Sequence, residues 1–416
     1  MLVVTANWAI PDGNLSAPPP RGLFERLFAD VRRVAARAGF RRDGRYRPIE
    51  RVVIVLAGDT FDCLVSDRWL GDVRPWERRR EAAARHTDLF RAAWRHARRP
   101  LVAAARLARR GLAVPSAGTH GRPVPTAAVA VPVHVVMLAG DRDAAVERSA
   151  RDLPWRRLGI AVGNAWGGEA VSVVHGAAAD PLANRDSGPT LLESLTVDLL
   201  ARFGAGLVAQ PGADDRRRRL VRGLAAGHPL DMPLLLRSSL PLLTDDATQA
   251  ARVIDIWRRS VDRWVREARR WGCAADNHGA VEAIAWWMEA GEPDAHPRPA
   301  ADRLIDVLAS PLPFRGGQAL TVVGHIGPGA SDTASQAVCL GPPNIRLGRA
   351  GAFRPPVPAG VSCIRTADAV RPTAIPAVAI FEAGEGGGRA LEWLTAGDAG
   401  GIGHVLPGSV PILDAA

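Results

Sequence analysis

Four short apolar runs in this chain stop at a glycine paired with an aspartate or a histidine, and that recurrence constrains the fold more than any other feature. RVVIVLAGD ends at Gly58-Asp59, VHVVMLAGDRD reaches Gly140-Asp141, AVSVVHG ends at His175-Gly176 and ALTVVGH at Gly324-His325. Leu2-Val3-Val4-Thr5 is a further run of the same kind without that ending. β-Branched runs of this length read as buried strands. Glycine lets the chain turn sharply as it leaves a sheet, and in α/β sheets ligands collect beyond the carboxyl ends of the strands. Singly, each residue has an ordinary reading: Asp59, Asp141 and Asp143 as turn residues or caps, His175 and His325 as hydrogen-bonded core histidines. Together, strands that deliver Asp, Asp, His and His to one edge are what a metal site requires, and the class expected is α/β.

Composition narrows the partners. The formal net charge of +10 suggests an anionic partner. All 53 basic residues, however, are arginine, and a single Tyr stands against 12 Trp, the mark of a GC-rich coding bias. Part of the basicity is therefore drift, and no specific nucleic acid is expected. Four scattered cysteines, Cys63, Cys273, Cys339 and Cys363, show no CxxC spacing, which argues against a disulfide framework or structural zinc. No apolar run is long enough to span a bilayer, and MLVVTANWAIPDG lacks the pattern of a signal peptide. Cytoplasm is the expected compartment.

Two insertions separate the strands. Residues 64–130 read as largely helical and Arg-rich, divided at Pro100, with Phe90, Trp94, Ala97 and Leu101 at helical spacing. Residues 186–300 carry Trp257, Val261, Trp264, Ala268 and Trp271 on one helical stripe. Internal packing is the plain reading of both; a cap over a cleft, or a basic stretch at 77–111 resting on a membrane surface, is the sharper one. Arg216–Arg219 reads as a solvated face. His120, His134, His278 and His404 belong to no pattern.

GDTFD (58–62), GDRD (140–143), HGAAADP (175–181) and GHIG (324–327) resemble, in order and spacing, the motifs of the calcineurin-like metallophosphoesterases. The likeness covers about residues 1–330. FDCLVSDRWL, DPLANRD with LLESLTVDLLARF, and NIRLGRAGAFR with AVAIFEA are similar to the branch that includes UDP-2,3-diacylglucosamine hydrolase. The resemblance implies a four-layer αββα sandwich of two mixed sheets. Residues 1–345 would form that domain, with insertions at about 64–130 and 186–300, and 346–416 would add closing β-strands and a loose tail.

It also implies a ligand set. Two divalent ions about 3.5–4 Å apart, bridged by one Asp, perform the family's chemistry. Asp59 matches the bridging aspartate, Asp141 stands where the family has Asn, and His175 and His325 match two histidine ligands. These four would hold one ion, with Asp62 and Asp143 supporting them from behind. The partner ion has lost its ligands: Ala6 and Trp8 occupy the N-terminal ligand places, and Gly327 replaces the last histidine. The first histidine of the whole chain is His86, beyond the second motif. Arg142 replaces the catalytic histidine; it stays protonated and cannot serve as general acid, but can clamp a phosphate. Ala177 replaces a further histidine.

The expectation is thus at most one divalent ion, Mn, Fe or Zn ahead of Mg, or none. The function expected is a degenerate phosphohydrolase, either single-metal or a pseudoenzyme, acting on or binding a phosphate-containing small molecule or lipid. The alternatives are an active phosphomonoesterase or phosphodiesterase, and a scaffold protein that uses the Arg-rich helical insertion.

Overall fold

The apolar runs do become strands, and they gather in two sheets. The computed structural model describes residues 1–290 except 7, 19–22, 42, 144–157, 168–170, 177–179, 184–187, 212–214, 227–228 and 274–278; beyond 290 it describes the backbone of six strands. The first sheet contains β1 (Leu2–Thr5), β3 (Val52–Ala57), β7 (Val133–Leu138) and β8 (Ile160–Gly163), all parallel neighbours in that order. Beyond β1 it continues antiparallel through β14 (Val378–Gly384), β15 (Gly387–Ala396) and β16 (Ile402–Val405). The second sheet contains β10 (Val171–Val174), one strand in from its edge. On one side β9 (Ala165–Gly167) pairs with it antiparallel; on the other β11 (Leu320–Val323), β12 (Ala337–Cys339) and β13 (Val361–Cys363) follow in parallel. Strand β10 lies against β3, and β9 against β7, so the two sheets meet at these strands.

Parallel register decides what reaches the edge. Ala57 pairs with Leu138 across β3 and β7, so both strands release their chains at the same level. Val174 pairs with Val323 across β10 and β11, which aligns the exit of the second sheet in the same way.

Helix α1 (Leu23–Ala38) and helix α2 (Arg80–Arg110) cover the first sheet, and Val34, Ala35, Phe90, Ala97 and Leu101 share its core with Ile54, Leu56 and Val135. The expected helical stripe is there, with Trp94 half-buried beside it. Two details differ from expectation. Pro100 does not divide the first insertion: it is buried within one unbroken 31-residue helix. Its missing N–H costs a backbone bond, and the burial of Ala97, Leu101 and Ala104 around it offsets the loss. After Gly111, moreover, the chain forms a hairpin of β5 (Leu112–Ala117) and β6 (Pro123–Val131) instead of more helix. Pro115, Pro123 and Pro125 disfavour a helix there, and valines at 114, 124, 129 and 131 favour strand.

The second insertion is a helical bundle. A helix over residues 191–208 (α3) winds as a π-helix at Leu195–Ala201, and is followed by α4 (Asp215–Ala226), α5 (Met232–Leu243), α6 (Ala247–Arg270) and α7 (Ala280–Ala290). Thr190 and Glu193 start α3 with a reciprocal capping box. The tryptophan stripe packs as expected: Trp257, Val261, Trp264 and Ala268 are buried, and the Trp264 indole N–H donates to the Ser194 hydroxyl at 2.9 Å. The last fifteen residues, 402–416, are expected to be loose, but they begin with β16 (Ile402–Val405), paired to β15; residues 406–416 and NIRLGRAGAFR lie outside the described residues.

Trp264→Ala should lower the unfolding free energy by about 3–5 kcal/mol, and Trp264→Phe by less. Urea unfolding of both variants checks this; an unchanged midpoint for the alanine variant would contradict the packing role.

Candidate metal centre

The two sheets deliver their residues to one place. Gly58 leaves β3 at φ +93° and Asp59 follows at φ +49°, a left-handed conformation rare outside glycine. The turn puts the Asp59 carboxylate inside the protein, 2% exposed. The loop after β7 brings Asp141 beside it, and the end of β10 brings His175 from the other sheet. Donor atoms of Asp59, Asp141 and His175 all lie within 4.8 Å of one another. The His175 Nε2 is 2.6 Å from Asp141 Oδ1 and 3.6 Å from Asp59 Oδ2.

Two glycines make this approach possible. A side chain at Gly58 would collide with the His175 ring, and one at Gly140 would collide with the Asp59 carboxylate. The Gly-Asp pairs in the sequence thus serve close approach as well as turning.

Orientation comes from behind. The Nδ1 N–H of His175 donates to the Ala57 carbonyl at 3.0 Å, which aims Nε2 at the two carboxylates. This is the usual arrangement for a metal-binding imidazole. The Arg142 backbone N–H donates to Asp59 Oδ1 at 3.0 Å. Asp143 accepts from the Gly140 N–H at 2.6 Å and the Phe61 N–H at 3.2 Å, stitching the two loops together. Asp62 accepts from the Leu64 and Val65 N–H groups, fixing the chain after β4 (Phe61–Asp62). Asp62 and Asp143 are both buried, at 1% and 0% exposure.

The electrostatics suit a cation. Burial alone would depress the His175 pKa, but the charges of Asp59 and Asp141 overcome this and push it up to about 10. Burial and then the Asp59 charge push Asp143 up to about 7, against its two backbone hydrogen bonds. Burial raises Asp62, and Arg142 opposes the rise. In the metal-free protein a proton on Nε2 sits where an ion would bind. Two carboxylates and an imidazole form a donor set of the kind that would hold a divalent ion such as Mn, Fe or Zn. The residues present therefore fit one divalent ion.

The other expected residues are placed as follows. His325 lies outside the described residues, as do Ala177 and Gly327. Arg142 is buried at 4% exposure, with Nε 3.9 Å from Asp59 and Nη1 3.8 Å from Asp62. Its Nη1 also donates to the Ala225 carbonyl in the last turn of α4. On the N-terminal side, Ala9 and Ile10 N–H groups donate to the Asp59 and Thr60 carbonyls, so the segment after β1 runs directly alongside the centre. Ala6 there has no donor side chain. Trp8 is 3% exposed, packs in the core of the first sheet and donates its indole N–H to the Thr5 hydroxyl at 2.8 Å. Sequence reasoning missed the Ala57 and Ala225 carbonyls, which have no side-chain signature.

No family model, curated protein or solved structure matches the chain.

Metal binding must displace the His175 proton, so affinity for Mn or Zn should rise close to tenfold per pH unit from about pH 6 to about pH 9. The raised His175 and Asp143 values also mean that the contribution of these two groups to metal-free stability is greatest at low pH. It falls as pH climbs through about 7 for Asp143 and about 10 for His175. Thermal melts with and without metal check both; a metal-induced rise in Tm that shrinks with pH would contradict them.

Proposed function

We propose that this protein is a metallophosphoesterase-type phosphohydrolase that works with a single divalent ion held by Asp59, Asp141, His175 and His325. The convergence of Asp59, Asp141 and His175 within 4.8 Å carries the reading. Two mixed sheets that meet at β3–β10 and β7–β9 support the four-layer αββα architecture that goes with it. The parallel pairing of β10 with β11 supports His325 as the fourth ligand, since it follows Val323 by two residues.

A bound divalent ion would supply Lewis-acid polarisation of a phosphoryl oxygen and a more acidic water. The chain's own part is distinct. Asp59, with its Oδ1 held by the Arg142 N–H, keeps its second oxygen directed at the centre. His175, fixed by Ala57, presents a neutral Nε2 once its proton is displaced. Arg142 supplies a permanent positive charge where the family has a histidine. It cannot protonate a leaving group, so substrates whose leaving groups need no proton should be favoured, such as phosphoric anhydrides and aryl esters. A phosphate-containing small molecule or lipid is the substrate class. Among the described residues no helix is long and apolar enough to cross a membrane, and we place the activity in the cytoplasm.

One observation favours a second reading. The Arg142 guanidinium already donates to the Ala225 carbonyl and faces two carboxylates. If substrate does not displace these contacts, the centre binds a metal and a phosphate without turning over, as a pseudoenzyme.

The purified protein should hydrolyse p-nitrophenyl phosphate esters in the presence of Mn, faster than alkyl phosphates. Asp59→Asn and His175→Gln should each cost more than the roughly 10–100-fold typical of losing an outer-shell partner. Folded protein with stoichiometric metal and no turnover with Mn, Mg, Zn or Fe would decide for the pseudoenzyme.

A further inference from the structure

Helix α2 has two unlike halves of circumference. Its apolar side, with Leu89, Phe90, Ala93, Ala97, Leu101 and Ala104, is buried in the core of the first sheet. Its other side is open, and from residue 89 to 110 the exposed positions are Arg91, Arg95, His96, Arg98, Arg99, Arg106, Arg109 and Arg110. Every exposed position on these six turns is therefore an arginine or a histidine. The sequence between 89 and 110 has no acidic residue.

The seven arginines fall within an arc of roughly 120° and extend over about 28 Å of helix. Arg91 pairs with Asp88 at 3.4 Å. Among the described residues none of Arg95, Arg98, Arg99, Arg106 and Arg110 has an acid within ion-pair distance.

Coding bias explains arginine in place of lysine, but not this placement. Helix α6 is equally rich in arginine, and there the acids are interleaved: Arg259 pairs with Asp255 at 2.9 Å, and Arg263 with Glu267 at 3.0 Å. On α2 like charges stand in the first neighbour positions of a helix, where each pair costs a few tenths of a kcal/mol unless something anionic lies against them.

The shape selects among polyanions. Insertion into a bilayer needs an apolar face, and that of α2 is consumed by the core. Single strands need successive aromatic stacking platforms, and the exposed positions of the ridge hold no Trp, Tyr or Phe and one histidine, His96. Duplex RNA is recognised by contacts to 2′-hydroxyls across its minor groove as well as to phosphates, whereas a line of charges along one helix face addresses phosphates alone. A straight single-sign ridge of donors matches the phosphate rail of a duplex, which carries one charge per about 1.7 Å of axis.

We propose that the exposed face of α2 is a sequence-independent docking ridge for double-stranded DNA, gripping its phosphate backbone. The ridge is separate from the metal centre and does not depend on its chemistry.

The test uses the full-length protein and a fluorescent DNA duplex of about 30 base pairs at about 50 mM salt and upward. Arg95→Gln/Arg98→Gln/Arg99→Gln/Arg106→Gln removes four ridge charges; Arg219→Gln/Arg258→Gln/Arg259→Gln/Arg266→Gln removes four exposed charges elsewhere and keeps the net charge equal. The wild type should bind, with log K falling linearly against log salt. The ridge variant should lose about tenfold or more and about three to four units of salt slope, while the control stays within about threefold. Circular dichroism melts establish folding, and single Arg→Gln variants, each lowering the slope by about one, extend the test if the quadruple variant is unstable. Equal losses in both quadruple variants, no binding by the wild type, a preference for an RNA duplex of the same sequence, or binding only to vesicles containing phosphatidylglycerol would overturn the proposal.

Discussion

The His175 imidazole, held between the Ala57 carbonyl and the carboxylates of Asp59 and Asp141, is the contact on which the rest of the centre depends. It joins a side chain at the end of β10 in the second sheet by charge to carboxylates that follow β3 and β7 in the first. Buried carboxylates without a cation are costly, and here Arg142 and His175 are two described cations facing an excess of acid in Asp59, Asp62, Asp141 and Asp143. The metal-free protein lowers that excess by keeping His175 charged up to about pH 10 and Asp143 protonated up to about 7. A divalent ion removes the need for both devices. The glycines at 58 and 140 and the left-handed backbone of Asp59 follow from the same demand, since each lets charged groups come closer than ordinary packing allows.

Arg142 extends this dependence into the helical insertion. Its guanidinium links Asp59 and Asp62 to the Ala225 carbonyl, and the exposed carbonyl end of a helix favours a cation. A second buried tie lies nearby in the chain: Arg74 donates from Nε to Asp198 at 3.1 Å and from Nη1 to the Trp69 and Gly71 carbonyls. Asp198 sits in the π-helical stretch of α3. The insertion is thus pinned at two points to the loops that follow β4 and β7.

Much of this was legible because strand endings carry both structure and chemistry. Asp59, Asp141 and His175 could be read from the sequence, since an apolar run fixes the strand and its next residues must turn at the edge. Asp62 and Asp143 followed from their places in the same turns. Pro100 was misread because local propensity penalises it, while the buried face around it is a tertiary gain no window shows. The hairpin at 112–131 was missed for the related reason that arginine-rich helix on one side drew the reading onward. The Ala57 and Ala225 carbonyls are backbone groups, and no residue identity announces them. The charge ridge on α2 is visible in the sequence as basicity, but burial shows that its apolar face is spent, and the ion pairs show Arg91 beside Asp88 with no described acid near Arg95, Arg98, Arg99, Arg106 or Arg110.

The proposal rests on a single ion held by Asp59, Asp141 and His175. Anomalous diffraction from crystals grown with Mn or Zn addresses it directly. The account requires a single peak per chain, about 2.0–2.2 Å from a carboxylate oxygen of Asp59, from Asp141 and from His175 Nε2. Two peaks about 3.5–4 Å apart, or no peak near His175, would contradict it.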